Sequence, residues 1–269
     1  MSRGASDAHD ITVHEGKARE FLAIGLPTLG MVHAFFLARM LNLRLPMNTV
    51  VTWIYVVGKE VGDARNEIVA KALQREERDP SLRCKAVFFI DDDVLLHPDC
   101  LLKLWSLRRP IVSGLYYAKT SVPQPLALHD EFGGVARSWR PGELIEVAGH
   151  GMGCTLIDAD VFRRVRDERA IGVDGDGFPA WFKTTRDQGI ARPDGSEITK
   201  NETEDMHFLG HARALGYQPI VDTSPQTFAW HFDAKKMTGF PQKQWAEWHS
   251  TGRITWDTDG GPVVWENCA

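Results

Sequence analysis

The sequence predicts an α/β fold: a doubly wound, mostly parallel sheet with helices on both faces, carrying a smaller second subregion. Three observations predict it. Strand-like and helix-like segments alternate from residue 21 to residue 117, the order that builds a layered sheet. The run Lys85-Ala86-Val87-Phe88-Phe89-Ile90 is apolar nearly throughout instead of alternating, as suits a parallel strand covered on both faces. After residue 118 the rhythm changes to short apolar runs between glycine- and proline-containing turns, the signature of short strands joined by turns.

Taken in order, residues 1–20 are polar and mixed in charge and predict a flexible N-terminal segment. Phe21-Leu22-Ala23-Ile24 predicts a first strand, closed by Gly25-Leu26-Pro27-Thr28. Val32 to Leu43 is apolar nearly all round and predicts a buried or half-buried helix. Thr49 to Val57 is rich in β-branched and aromatic residues and predicts a core strand. Asp63 is placed to cap a helix whose inward stripe is Ile68, Val69, Ala72 and Leu73. Pro98 suits the first turn of a helix from Asp99 to Leu107, and Ile111 to Tyr117 predicts another strand.

In the second half, Leu144 to Val147 and Cys154 to Ile157 predict strands, and Asp158 a helix cap. Residues 172–202, glycine-rich with two prolines, predict a long loop of the kind that often binds or covers a ligand. Thr203 is expected to cap a helix from Glu204 to Leu215, ended by Gly216 and followed by a strand at Pro219 to Val221. The region from Trp230 onward holds five of the nine tryptophans. This organisation divides the chain into 1–20, 21–118, 119–232 and a tryptophan-rich tail at 233–269.

A length of 269 residues at 43% hydrophobic content allows a large core. A formal net charge of -5 provides no global positive field to hold a polyanion. Cys84, Cys100, Cys154 and Cys268 form no CxxC pair, so neither a zinc ribbon nor a redox dithiol is indicated. The opening residues lack a signal-peptide pattern, and no run reaches the length of a membrane span. Together these features predict a cytoplasmic protein with no integral membrane element.

The chemistry-bearing feature is Asp91-Asp92-Asp93, directly after Phe88-Phe89-Ile90. Open α/β sheets bind ligands at the carboxyl ends of their strands. Three adjacent carboxylates repel one another, and a divalent cation relieves that repulsion. In an extended stretch, Asp91 and Asp93 would point to one side and Asp92 to the other. Oxygen ligands of this kind suit Mg²⁺ or Mn²⁺. The competing explanation is a solvated acidic turn, with Asp93 capping the next helix.

This arrangement resembles the GT-A glycosyltransferases, particularly the family-2-like nucleotide-sugar transferases. Phe88-Phe89-Ile90-Asp91-Asp92-Asp93 is similar to their DxD motif. Ile24-Gly25-Leu26-Pro27-Thr28 resembles their first strand and base-receiving loop, and Ala64-Arg65-Asn66 a helix start near the nucleotide. Glu204-Asp205 resembles the acidic pair on the acceptor side, and His231 a late metal-completing histidine. The resemblance covers residues 21–232.

It implies a GT-A-like sheet with an acceptor-side subregion, and Mn²⁺ or Mg²⁺ held by Asp91, Asp93 and His231. It implies donor contacts from Pro27, Thr28, Arg65, Asn66, Asp91, Asp92, Asp93 and Gly151. Asp205 would be the catalytic base, with Glu204 its competitor for that role. The implied donor is a nucleotide diphosphate-sugar, UDP-linked in preference to GDP-linked. The acceptor would be a hydroxyl on a saccharide, a protein or a modified nucleic-acid base.

Other strings carry their own readings. Gly149-His150-Gly151-Met152-Gly153-Cys154 allows close backbone approach to a ligand, or forms a tight turn. His207 and His211 have the spacing of helix-borne zinc ligands but lack the glutamate of zinc metalloproteases, so a polar helix face is expected instead. Trp181, Phe182 and the tail tryptophans could stack on sugars or bases, although packing is the leading expectation. Clustered aspartates also serve metal-dependent nucleotidyl transferases and phosphoester hydrolases. A carbohydrate- or nucleic-acid-binding module without turnover is the third alternative.

Overall fold

The computed structural model describes residues 19–119, 124–129, 134, 138–191, 197–240, 253–256 and 262–265. The first half runs β1 (Arg19–Thr28), α1 (Ala34–Leu41), β2 (Val50–Val57), α2 (Val61–Arg78), β3 (Leu82–Ile90), β4 (Val94–Leu95), α3 (Cys100–Ser106) and β5 (Ile111–Gly114). Short strands follow: β6 (Ala127–Leu128), β7 (Ser138–Trp139), β8 (Leu144–Glu146) and β9 (Gly149–His150). Then come β10 (Cys154–Asp158), α4 (Ala159–Glu168), β11 (Thr185–Ala191), β12 (Glu197–Glu202), α5 (Glu204–Ala214) and β13 (Ile220–Asp222). The described chain closes with β14 (Trp230–Asp233), β15 (Thr238–Phe240), β16 (Arg253–Trp256) and β17 (Pro262–Trp265).

Seven strands form the central sheet in the order β2-β1-β3-β10-β5-β13-β8. β2, β1 and β3 are parallel, and so are β5 and β13. β10 runs antiparallel to both β3 and β5, so those two blocks share a direction. β8 is antiparallel to β13. The sheet is therefore mixed and mostly parallel, as the sequence predicts.

Alternate side chains of the central strands feed two cores. Phe21, Ala23, Val87 and Phe89 pack with residues of α2, α4 and α5 on one face. Leu22, Ile24, Ala86, Phe88 and Ile90 pack with Phe36 of α1 and Cys100, Leu101 and Leu104 of α3 on the other. This is why β1 and β3 read as unbroken apolar runs. A third, smaller core of Leu115, Tyr117, Ala127, Trp139, Val147, Val221 and Phe228 supports the second-half subregion.

Several local expectations are corrected. Among the described residues β2 is an edge strand with Trp53 and Tyr55 exposed, because β1 alone pairs with it there. α1 is half-buried, the second of the two forms expected, with Phe36 buried against the second core and Met40 packed beside it. The α2 cap is Glu60, whose Oε2 accepts from the N–H groups of Gly62 (2.7 Å) and Asp63 (3.3 Å); Asp63 is already inside the first turn. Pro98 precedes the Asp99 N-cap of α3 and belongs to the turn before it. The expected loop at 172–202 contains the antiparallel pair β11–β12. Its aromatics are structural: Trp181 and Phe182 are buried, and Trp181 Nε1 donates to the Phe162 carbonyl at 2.9 Å.

The segment expected to be flexible lies outside the described residues up to residue 18, and β1 already includes Arg19 and Glu20. Trp245 and Trp248 also lie outside them, whereas β16 pairs with β17 and β7. Among the described residues, no helix is long and apolar enough to cross a membrane.

Candidate active site

A cleft of about 430 Å³ opens at the carboxyl ends of β1 and β3. Pro27, Thr28 and Leu29 line it from β1 and the residues after it, and Lys59, Glu60 and Val61 from the start of α2. Asp91, Asp92 and Asp93 line it from beyond β3, and His231 from β14. His231 reaches the cleft because β14 pairs with β4, the strand immediately after the aspartates, in the register His231 to Val94.

The three aspartates do not continue the strand. The Val94 N–H donates to the Asp91 carbonyl at 3.0 Å, closing a turn, so the side-to-side alternation of an extended chain does not apply. Each carboxylate instead meets a different partner. Asp91 Oδ1 accepts from Arg65 at 2.8 Å. Asp92 Oδ2 accepts from the Thr28 hydroxyl at 2.6 Å. Asp93 Oδ2 accepts from the Lys119 ammonium, and its Oδ1 lies 3.3 Å from His231 Nε2.

Burial raises the Asp93 carboxyl, but the hydrogen bonds and positive charge of His231 and Lys119 outweigh it and hold the group below the usual carboxylate range. Burial raises Asp92, with the neighbouring aspartates adding to it and the Thr28 hydrogen bond opposing it.

The Asp93–His231 pair suits a divalent cation. His231 Nδ1 lies 3.0 Å from the Tyr117 carbonyl, which can only accept. In the neutral ring, Nδ1 is therefore the donor and Nε2 turns a lone pair toward a carboxylate. A cation or a proton has to stand between them, and a backbone carbonyl fixing the far nitrogen is the usual support of a metal-bound histidine. Two ligand bonds of about 2.1 Å at right angles end about 3 Å apart, close to the 3.3 Å observed. Asp91, the third expected ligand, is turned to Arg65. Among the described residues, no group of three or more His, Cys, Asp or Glu side chains is assembled for a metal.

Arg65 and Asn66 lie outside the cleft wall. Arg65 is 2% exposed and ties Asp91 to Glu204, whose Oε1 accepts from it at 2.6 Å. Burial opposes the guanidinium charge, but Asp91, Asp205 and Glu204 together raise its pKa. Asn66 donates to the Phe182 carbonyl (3.0 Å) and accepts from the Phe182 N–H (2.8 Å), pinning the 172–182 segment onto α2. Both residues organise the site from beneath.

Glu204 and Asp205 open α5, behind the N-cap Thr203. Burial and the Asp205 charge raise Glu204 to about 7, against the attraction of Arg65. Asp205 acts electrostatically on Arg65, Tyr116 and His150. Its carboxylate takes no hydrogen bond from any described side chain, whereas Glu204 is committed to Arg65.

The alternating glycines have a packing explanation. A Cβ on Gly149 would fall 2.2 Å from Met206 Sδ, on Gly151 2.1 Å from Tyr116 Oη, and on Gly153 2.8 Å from Asp91 Oδ2. The space over Gly151 is thus filled by Tyr116, whose hydroxyl accepts from the Gly153 N–H at 2.9 Å. The side of Gly151 that a side chain would take is therefore occupied within the protein. His150 is buried, and burial lowers it to about 4. His207 and His211 touch edge-on at 4.6 Å, and Arg169 donates to His211 Nδ1 at 3.2 Å, an arrangement of a polar helix face.

Lys59, Glu60 and Lys119 belong to the site but escaped the sequence reading. Lys59 and Glu60 carry the signal of lying just before a helix that starts at the sheet's carboxyl edge. Lys119 follows an irregular extension of β5 and carries none.

No family model matches this sequence, and no curated protein does. Among solved structures, the crystal structure of A197 from STIV is similar in fold, at 14% identity over 93% of this chain and 95% of that one, with a TM-score of 0.49. That level extends no property of A197 to this chain.

Proposed function

We propose that the protein transfers a sugar from a nucleotide diphosphate-sugar to an acceptor hydroxyl, with inversion, using a divalent cation of the Mn²⁺ or Mg²⁺ type. The observation that carries this reading is the Asp93–His231 pair at 3.3 Å in a cleft at the carboxyl edge of the sheet; Asp205, outside the cleft lining, acts through charge on Arg65, which holds Asp91.

Asp93 and His231 would hold the cation, which supplies positive charge to a departing diphosphate. Lys119 adds positive charge beside Asp93, whereas Lys59 at the cleft is paired with Glu67 and Asp176. Thr28 and Asp92 shape the opposite wall of the cleft through their hydrogen bond. Asp205 takes the acceptor's hydroxyl proton as that oxygen bonds to the anomeric carbon. The bond from that carbon to the diphosphate oxygen breaks, and its electron pair leaves with the diphosphate. Glu204, held by Arg65, keeps the start of α5 in place.

The test is a thermal-shift and calorimetric screen of UDP, GDP and their sugar conjugates with and without Mn²⁺. A metal-dependent shift that disappears in Asp93→Asn and His231→Ala is expected. Asp205→Asn should keep donor binding and lose about 10²–10⁴-fold in turnover. Failure of every nucleoside diphosphate to bind with metal present would sink the proposal.

A further inference from the structure

Among the described residues the central sheet has two edges, and one of them is guarded. β8 is three residues long and has Glu143 before it and Glu146 at its end. β2 is eight residues, VVTWIYVV, with no charge and no proline. It pairs with β1 without a bulge from Val50 to Val57, and with nothing on its other side among the described residues. Such an edge presents a row of N–H and C=O groups to any extended chain.

The two faces of that edge differ in chemistry. Trp53 and Tyr55 pair in register with Ile24 and Leu26, on the face that carries α1. They are 42% and 67% exposed. Twelve of the fourteen large hydrophobic side chains exposed among the described residues lie between Leu29 and Val57, so the uncovered apolar surface is concentrated here and not scattered.

Toward α2, a groove of about 570 Å³ runs between the two elements, lined by Thr52 to Tyr55 of the strand and by Lys71, Arg75 and Arg78 of the helix. Lys71 is paired with Glu67 at 2.6 Å. Arg75 lies over the Phe21 ring at 5.6 Å and acts on Asp79 through charge alone; among the described residues neither Arg75 nor Arg78 makes a close ion pair with a carboxylate. In a chain of net charge -5 this is a local reversal of sign.

We propose that β2 is the docking edge for an extended segment of a partner protein in which acidic residues alternate with apolar ones. Added as a strand, the segment completes the open hydrogen-bond ladder. Its period of two sends carboxylates into the groove beside Arg75 and Arg78, and apolar side chains onto Trp53 and Tyr55. Charge disfavours a second copy of this chain, because β2 brings no carboxylate and a two-fold pairing draws the α2 arginines toward their own counterparts. Lipid and single-stranded nucleic acid both leave the ladder unmet.

The probe is a fluorescein-labelled eight-residue peptide of alternating glutamate and valine, read by fluorescence anisotropy against the full chain. Saturable binding is expected, weakened about tenfold or more by the double variant Arg75→Glu, Arg78→Glu. N-methylation of alternate peptide nitrogens should abolish binding in one phase and leave it in the other, which a merely electrostatic contact would not do. Four outcomes would overturn the proposal: no saturation at about 1 mM, equal binding of the lysine–valine peptide, equal effects of the two methylation phases, or a dimer in sedimentation that Tyr55→Glu dissociates. Tighter binding of an eight-nucleotide oligothymidine at the same arginines would overturn it as well.

Discussion

Arg65→Met isolates the element that joins the two acidic parts of the site. The guanidinium is 2% exposed and makes ion pairs of 2.8 Å to Asp91 and 2.6 Å to Glu204. Methionine preserves much of the side-chain volume but leaves both carboxylates without their cation. Removing one partner of a buried ion pair costs about 3–5 kcal/mol. The Asp91 and Glu204 side chains are 25% and 13% exposed, so water relieves part of that cost. About 4 kcal/mol is the expected loss at pH 7, and in a chain of this size it lowers Tm by roughly 10 °C. Urea and thermal unfolding at pH 7 and pH 5 measure it. Glu204 already titrates at about 7 with Arg65 present, and losing the arginine raises it further. At pH 5 that carboxyl is protonated and tolerates the methionine better, so the deficit should shrink. Adding Glu204→Gln to the variant should recover part of it at pH 7. A deficit below about 1 kcal/mol, typical of a surface pair, or one equal at both pH values, would refute this account of Arg65.

Two further predictions concern the same region. The folded-state pKa of Glu204 is raised from its ordinary 4.5 to about 7, so its contribution to stability is fully present below the unfolded value and is lost as pH rises through 7. The difference between wild type and Glu204→Gln in urea unfolding should follow that window, with an amplitude on the order of 3 kcal/mol at most; a flat difference between pH 4 and 8 contradicts it. Gly151→Ala places a methyl carbon 2.1 Å from the Tyr116 hydroxyl oxygen, and forcing them apart should cost about 1–3 kcal/mol. Tyr116→Phe in the same chain should return part of that loss, and if it returns none the clash lies elsewhere.

The parts of the fold legible in the sequence are those decided by local pattern. β1, β3 and α2 were readable because unbroken apolar runs and a helical stripe were enough to define them. β2 was readable as a strand but not as an edge, since VVTWIYVV looks the same whether one neighbour pairs with it or two. The β11–β12 pair was missed because glycine and proline in 172–202 dominate its composition, while pairing is a contact between distant residues. In the site, Asp91, Asp92, Asp93 and His231 were found as members of one cleft. Their partners were not, because a turn at Asp91 to Val94 replaced the extended geometry on which alternation depends. Lys119 reaches Asp93 only through tertiary structure.

Five carboxylates of two chemical types lie close together, and the structure gives each a different environment. Asp91 and Glu204 are occupied by one buried guanidinium, and Asp92 by the Thr28 hydroxyl. Asp93 is held below the usual carboxylate range by the hydrogen bonds and charge of His231 and Lys119, and it lines the cleft beside His231. Asp205 has its oxygens free while feeling Arg65 nearby. A carboxylate at the cleft and an unoccupied one at a helix start are the two kinds that the proposed donor binding and proton removal would require. Arg65 permits their proximity, because it offsets the charge of the three carboxylates around it without occupying the cleft. The acidic residues of the sequence thus separate into cleft-lining and supporting groups through their neighbours rather than through their own chemistry.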